Sequence, residues 1–362
     1  MPIDDHAVET LMMIDDLQAL SKTWDEVNGD EDFPQARLNA LNRTGAISAF
    51  AAMDPASTGT LLTALRLIGR ADLSLGRVFE GHVNATQLVH VYGNDAQRAR
   101  LSRDLTAGRC YGVWNTEPVP GMSIERMGST WRLTGSKSFA TGAGHIDLAL
   151  ITAKTSDGTK QLVLVDVAGK PDRIDNDGWA VRGMRGTMSG TFDFDGLAVD
   201  DAMLIGKGGD YEREPRFSAG AWRFTAVQLG AVEALLRHWR IHLVETGKDK
   251  DAIQRARFAE CVVATRSAVQ WVTRAAALAE GMHRDAVAHV LMTRGVVEEA
   301  GLQVMEGAAR AVGTGSFFAH SRIDRITRDL GLYLRQPVPD QARNRAAEAW
   351  LSADRWGDDP WW

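Results

Sequence analysis

Cysteine is nearly missing from this chain. There are two in 362 residues, Cys110 and Cys261, far apart in sequence. That excludes a disulfide framework and a cysteine-based zinc site, and it points to a reducing, cytoplasmic setting. Long apolar runs are missing as well. None reaches the roughly 18 residues of a membrane span, and the first ten residues are acidic and carry no apolar signal core. No Lys/Arg-dense stretch interrupts a net charge of −6, which argues against nucleic acid as a partner. The nine histidines are dispersed, and none forms a His-x-x-x-His pair with an acidic companion, so no metal set emerges. His238 and His242 are four apart, but Arg237 and Arg240 beside them mark a solvated helix face. Gly-x-Ser-x-Gly, the serine hydrolase elbow, does not occur. Gly206-Lys207-Gly208-Gly209 lacks both the third glycine of a dinucleotide loop and the Lys-Ser/Thr of a phosphate loop, and reads as a connection.

What remains is a chain long enough for two or three domains, with 44% apolar and 24% charged residues. Residues 5–110 read as helices. Leu11, Ile14, Leu17 and Leu20 repeat at helical spacing, Pro34 stands ahead of Leu38, Leu41 and Ile47, and residues 58–79 form one leucine-rich run. Asn94 is placed to cap a helix over 95–106 and Gly108 to stop it. The pattern changes at Cys110. Residues 131–134, 148–151, 162–165 and 191–199 alternate or form short apolar runs, separated by Asp157-Gly158 and Asn176-Asp177-Gly178. Short strands without intervening helices predict an antiparallel sandwich or barrel. From about Phe217 three helices of some thirty residues follow, then a short one over 341–351, which predicts an antiparallel bundle. No element is predicted for the tail, Asp358-Asp359-Pro360-Trp361-Trp362.

The stretch between the two helical regions carries the most information. Thr116-Glu117-Pro118 with Gly121 is followed by Gly135-Ser136-Lys137-Ser138-Phe139-Ala140-Thr141-Gly142. Ala71-Asp72-Leu73-Ser74-Leu75 precedes it, as do His82 and Tyr92-Gly93-Asn94. Gly183-Met184-Arg185-Gly186, Gly313-Thr314-Gly315 and Arg325-x-x-Arg328-Asp329 come later in the same order. Together these resemble the acyl-CoA dehydrogenase superfamily over residues 35–340. The resemblance implies an α+β chain with the acyl-CoA dehydrogenase fold: an N-terminal helical domain (1–110), a small antiparallel β-barrel or sandwich domain (111–210) and a C-terminal long-helix bundle (211–362). It also implies bound FAD. By match, Asn115, Thr116, Gly121, Phe139 and Thr141 would contact the flavin ring, with Phe139 in place of the family's usual Trp. Donors aimed at the ring would stabilise its reduced form. Gly313 and Gly315 resemble glycines that receive a neighbouring subunit's cofactor, so the resemblance implies a homodimer or homotetramer.

The chain departs from that pattern at the base. Acyl-CoA dehydrogenases use a carboxylate to take the α-proton. Its usual place is Pro337 here, and its second known place, near Gly220, also lacks an acid. Glu80, Glu117 and Asp340 are the acids to inspect. Met122 stands where a Ser commonly follows the Gly-rich turn, and Thr246-Gly247-Lys248-Asp249 replaces an Arg-x-x-Phe-Gly element that reaches the partner's FAD. The main reading is an FAD-dependent oxidoreductase of the acyl-CoA dehydrogenase type acting on an acyl thioester or related small molecule, with an electron-transfer flavoprotein or flavin reductase as partner. An alternative is a flavin-dependent monooxygenase of the same fold, with His82 as the catalytic candidate. A further alternative is a non-catalytic member.

Overall fold

The computed structural model describes residues 5–26, 32–52 and 54–352. The C-terminal tail for which no element was predicted lies outside them. Six helices precede the first strand: α1 (Asp5–Asp25), α2 (Gln35–Arg43), α3 (Ala46–Ala49), α4 (Thr58–Ala71), α5 (Leu73–Tyr92) and α6 (Asp95–Thr106). Two of the sequence expectations were too coarse here. Gly45, with φ of 81°, breaks the run after Pro34 into α2 and α3. Asp72 divides the leucine-rich run into α4 and α5. Its backbone is extended, its carboxylate caps α5 through the Leu75 amide at 3.0 Å, and Arg37 holds it at 2.6 Å. The Asn94 cap forms as expected, as a full capping box with Gln97.

The β region contains β1 (Tyr111–Trp114), β2 (Ser123–Met127), β3 (Thr130–Thr134), β4 (Ser136–Ala140), β5 (Leu148–Lys154), β6 (Lys160–Asp166), β7 (Ile174–Asp175), β8 (Gly190–Asp193), β9 (Ala198–Val199) and β10 (Leu204–Ile205). Seven of them form one sheet, and β4, β8 and β7 form a second. The antiparallel prediction needs correcting. β1 runs parallel to β5 in the register Tyr111↔Leu148 to Trp114↔Ile151, and β2 meets β5 in the same sense. The central position of β5, between β1 and β6, explains its buried, nearly continuous apolar run.

The remaining helices are α7 (Arg216–Ala219), α8 (Trp222–Glu245), α9 (Ala252–Glu280), α10 (Ala286–Val312), α11 (Arg322–Tyr333) and α12 (Pro339–Leu351). The three long helices are those the periodicity predicted. α11 is an addition, since its residues were read only as a motif. α8 is the central element, and α4 packs on it closely because two glycines permit it. A Cβ at Gly69 would lie 2.2 Å from the Val227 carbonyl oxygen, and one at Gly230 would lie 2.2 Å from that of Arg66. One continuous apolar core runs from the N-terminal helices through the sheet into the bundle.

Candidate functional site

The segment from β1 to the turn after β4 forms a wall. Its interior anchor is Trp114, fully buried against Phe192 and Phe194 at 5.7 and 6.2 Å, with its indole N–H donated to the Thr141 carbonyl at 3.0 Å. Behind it Lys137 is completely buried. Its ammonium donates to the Asn115 carbonyl (3.1 Å), the Glu117 carboxylate (2.6 Å) and the Thr152 hydroxyl (3.1 Å). Thr152 in turn donates to the Asn115 side chain at 2.8 Å. Burial lowers the Lys137 pKa from its ordinary value, with the Glu117 contact opposing that shift. These bonds hold residues 115–117 in place. They also remove Glu117 from the list of bases, because its carboxylate is engaged by a fixed cation.

Gly121 and Gly135 shape the same wall from below. Gly121 has φ of 103° and closes a turn onto the Pro118 carbonyl at 2.8 Å. Gly135 has φ of 105°, and a Cβ there would lie 2.6 Å from the Gly121 carbonyl oxygen. Gly121 is therefore required by its turn, a role separate from the close cofactor approach that the resemblance implies.

On the open side Phe139 and Thr116 are exposed, and the buried Thr141 follows them. β4 carries a bulge between Lys137 and Ala140, which puts Phe139 in the left-handed region at φ of 52° with its side chain 55% exposed. Trp179 supports the ring edge-on at 6.1 Å. Thr116 lies alongside, held through its carbonyl by the Ser138 amide at 3.0 Å, while its own amide and hydroxyl make no bond among the described residues. Thr141 follows, with its hydroxyl 3.0 Å from that of Ser189, which donates to Thr187 at 2.8 Å, and Thr187 donates to the Met184 carbonyl at 2.8 Å. An exposed aromatic ring set in a strained backbone, flanked by hydroxyls and a free amide, can receive a flat, hydrogen-bonding heterocycle.

His82, the catalytic candidate, is held by main-chain groups at both ring nitrogens. Its Nδ1 accepts the Tyr111 amide at 3.0 Å, and Nε2 lies 2.8 Å from the Ile47 carbonyl. The backbone donor fixes the tautomer: the proton sits on Nε2 and is donated to Ile47. The ring is fully buried, and burial pulls its pKa down to about 4. A neutral histidine that ties α3 and α5 to β1, with both nitrogens used, is a structural residue.

The other candidates separate. Glu80 is buried, and Arg77 and Asn84 (2.6 Å) bind its carboxylate, with the Tyr333 hydroxyl 3.5 Å away. Asp340 is exposed in the first turn of α12. Pro337 is exposed just after α11, and its carbonyl accepts from Arg294. Gly313 ends α10, and a 3-10 turn over Gly313–Phe317 carries Gly315. A Cβ at Gly313 would meet nothing within 4 Å, which leaves this corner open on its outer side. The Gly206–Gly209 segment is no anion site. Asp210 fills it, accepting the Lys207 amide at 2.7 Å. Among the described residues no group of three or more metal-ligating side chains converges.

Two of the sequence motifs meet: Asp329 of α11, from Arg325-x-x-Arg328-Asp329, accepts the Met184 amide at 2.6 Å, and burial raises its pKa to about 6. One feature lay outside the sequence reading, a buried polar array where α5, α8, α9 and α11 meet. Asn84 bridges it, donating to Glu80 and accepting from Arg223 at 3.0 Å, while Arg223 and the Trp222 indole (2.9 Å) bind Glu280.

No family model matches the chain. A dibenzothiophene monooxygenase of Mycolicibacterium goodii is 29% identical over 164 residues, and the match spans 41% of this chain but only 38% of that relative. An acyl-CoA dehydrogenase of Bacillus subtilis (strain 168) is 24% identical over 286 residues, which is 74% of this chain and 76% of the relative. The crystal structure of TdsC from Paenibacillus sp. A11-2 in complex with FMN and indole superposes with a TM-score of 0.81 over 94% of this chain and 97% of that one, at 20% identity. The α–β–α order, the mixed sheet beside a long-helix bundle, and these likenesses agree with the motifs read from the sequence: the chain has the acyl-CoA dehydrogenase fold and is similar to proteins of that superfamily.

Proposed function

We propose that the chain is a flavin-dependent oxidoreductase that works without the family's carboxylate base, and that it uses reduced flavin and oxygen as a monooxygenase. FAD is the cofactor the motifs imply, and the wall fits such a group. Phe139 offers an apolar plate, the Thr116 amide and hydroxyl offer donors along one edge, and the Thr141 hydroxyl, whose proton goes to Ser189, offers an acceptor. Asn115 and Gly121 set the backbone from which those donors project. Gly313 and Gly315 would meet the cofactor of a neighbouring subunit in a homodimer or homotetramer. Bound flavin supplies two-electron chemistry; the chain's own residues hold the ring and keep donors on its edge.

One observation carries the choice of branch. Both places where the family puts its base are without an acid, and the nearby carboxylates are tied to cations: Glu80 to Arg77 and Glu117 to Lys137. Proton abstraction from an acyl thioester then has no carboxylate at either place the family uses. Oxygenation needs none from the protein, and the likeness to a dibenzothiophene monooxygenase supports this branch. A flavin reductase is the partner it requires. The longer likeness to an acyl-CoA dehydrogenase favours the second reading, hydride removal from an acyl thioester with an electron-transfer flavoprotein as acceptor.

The test begins with purified chain reconstituted with FAD. Reduced protein mixed with ¹⁸O₂ and indole should give a product carrying one labelled oxygen. Bleaching of the oxidised flavin by an acyl-CoA panel under argon, with no labelled product, would establish the second reading instead. Failure to retain FAD or FMN would overturn both.

A further inference from the structure

The buried polar array at the junction of α5, α8, α9 and α11 bears on the substrate. Arg77 of α5 pairs with Glu80 through Nη1 alone, and its other donors make no bond among the described residues. Its side chain keeps 21% of its surface accessible, against 3% for Glu80. One turn along, Gly81 is buried, yet a Cβ built there would meet only Arg77 Nη1, at 3.5 Å. A buried glycine with no other neighbour within reach marks an interior space, and Arg77 Nη1, the nitrogen that pairs with Glu80, borders it. Across the array, a Cβ at Gly220 would lie 3.4 Å from Arg223 Nη1. Gly220 and the segment after Tyr333 are the two places where the family's base would stand, so the space adjoins the reacting region.

We propose that the substrate carries a carboxylate or a similar oxoanion and that Arg77 receives it. The assignment rests on the flavin reading for the location of the site. A guanidinium is a planar fork matched to two oxygens, and this one has donors to spare. Arg223, Asn84 and Tyr333 add polar surface around it. A plain alkyl chain in the same space would desolvate Arg77 and Glu80 and return no hydrogen bond. Arg77 is thus a specificity residue, separate from the wall that holds the ring.

The experiment uses two probes of matched ring size, indole and indole-3-carboxylate, titrated into the FAD-loaded chain and followed by the flavin absorbance. Indole-3-carboxylate should bind at least roughly tenfold more tightly, as one charge-assisted hydrogen bond provides. Arg77→Met should abolish or invert that preference while retaining FAD, and Arg77→Lys should keep part of it. A preference below about twofold in the wild type, an unchanged preference in Arg77→Met, or no binding of either probe would overturn the proposal. The same pair is read by thermal shift on the flavin-free chain. A carboxylate preference there without flavin uptake would sustain Arg77's role and remove the flavin reading; flavin uptake without the preference would do the reverse.

Discussion

The His82 geometry makes a quantitative claim about acid stability. In the unfolded chain the imidazole titrates near 6.5, while in the fold it titrates near 4. Between those values the unfolded chain binds a proton that the folded one refuses, so stability falls as pH drops through 6.5 and stops falling from this source below about 4. The full difference approaches ~3 kcal/mol, and the part lost between about pH 7 and pH 5 is about 2 kcal/mol. The cause is burial, which disfavours the charged ring; a proton on Nδ1 would also face the Tyr111 amide, donor against donor. His82→Asn can keep an acceptor for that amide without a titrating group. It gives up the bond to the Ile47 carbonyl, at a cost of roughly 1–3 kcal/mol at every pH. Urea unfolding of the flavin-free chain at both pH values, followed by tryptophan fluorescence, measures the two losses. The wild type should lose about 2 kcal/mol more than the variant on acidification. Equal losses would show that His82 is not the titrating group and that its tautomer is misassigned.

Other substitutions address the wall and the packing beneath it. Lys137→Met removes three hydrogen bonds and leaves Glu117 without its cation, at a cost of about 2–4 kcal/mol in urea unfolding and with loss of FAD retention. Thr141→Val keeps the shape but drops the hydroxyl. Stability should change by about 1 kcal/mol, because Ser189 retains Thr187, while the flavin absorbance maximum or FAD affinity should move clearly. Gly230→Ala sets a methyl group against the Arg66 carbonyl across the α4–α8 contact and should destabilise by roughly 2 kcal/mol or more. Gly59→Ala, at a helical glycine with nothing within 4 Å, is its control and should be neutral or stabilising by up to ~1 kcal/mol.

Helical periodicity located the three long helices because each buries a repeating apolar face, and Asn94 announced its cap because both members of the box are local. Strand direction was not legible. The apolar run of β5 states that the strand is buried, and that β1 lies parallel to it is decided by a connection that includes other strands. His82 was singled out as a residue, but its partners are main-chain atoms 35 and 29 positions away, and main-chain atoms leave no mark in sequence. The array shows the same limit and a partial remedy. Its members come from four helices, so no motif spans them. Yet Arg77, Glu80 and Asn84 stand three and four residues apart on one helix whose remaining residues are mostly apolar and buried. Charge at the inward phase of an apolar helix carries a desolvation cost that only partners or a ligand offset. That pattern is local enough to be read from the sequence, whereas the partners of those charges on the other helices are not.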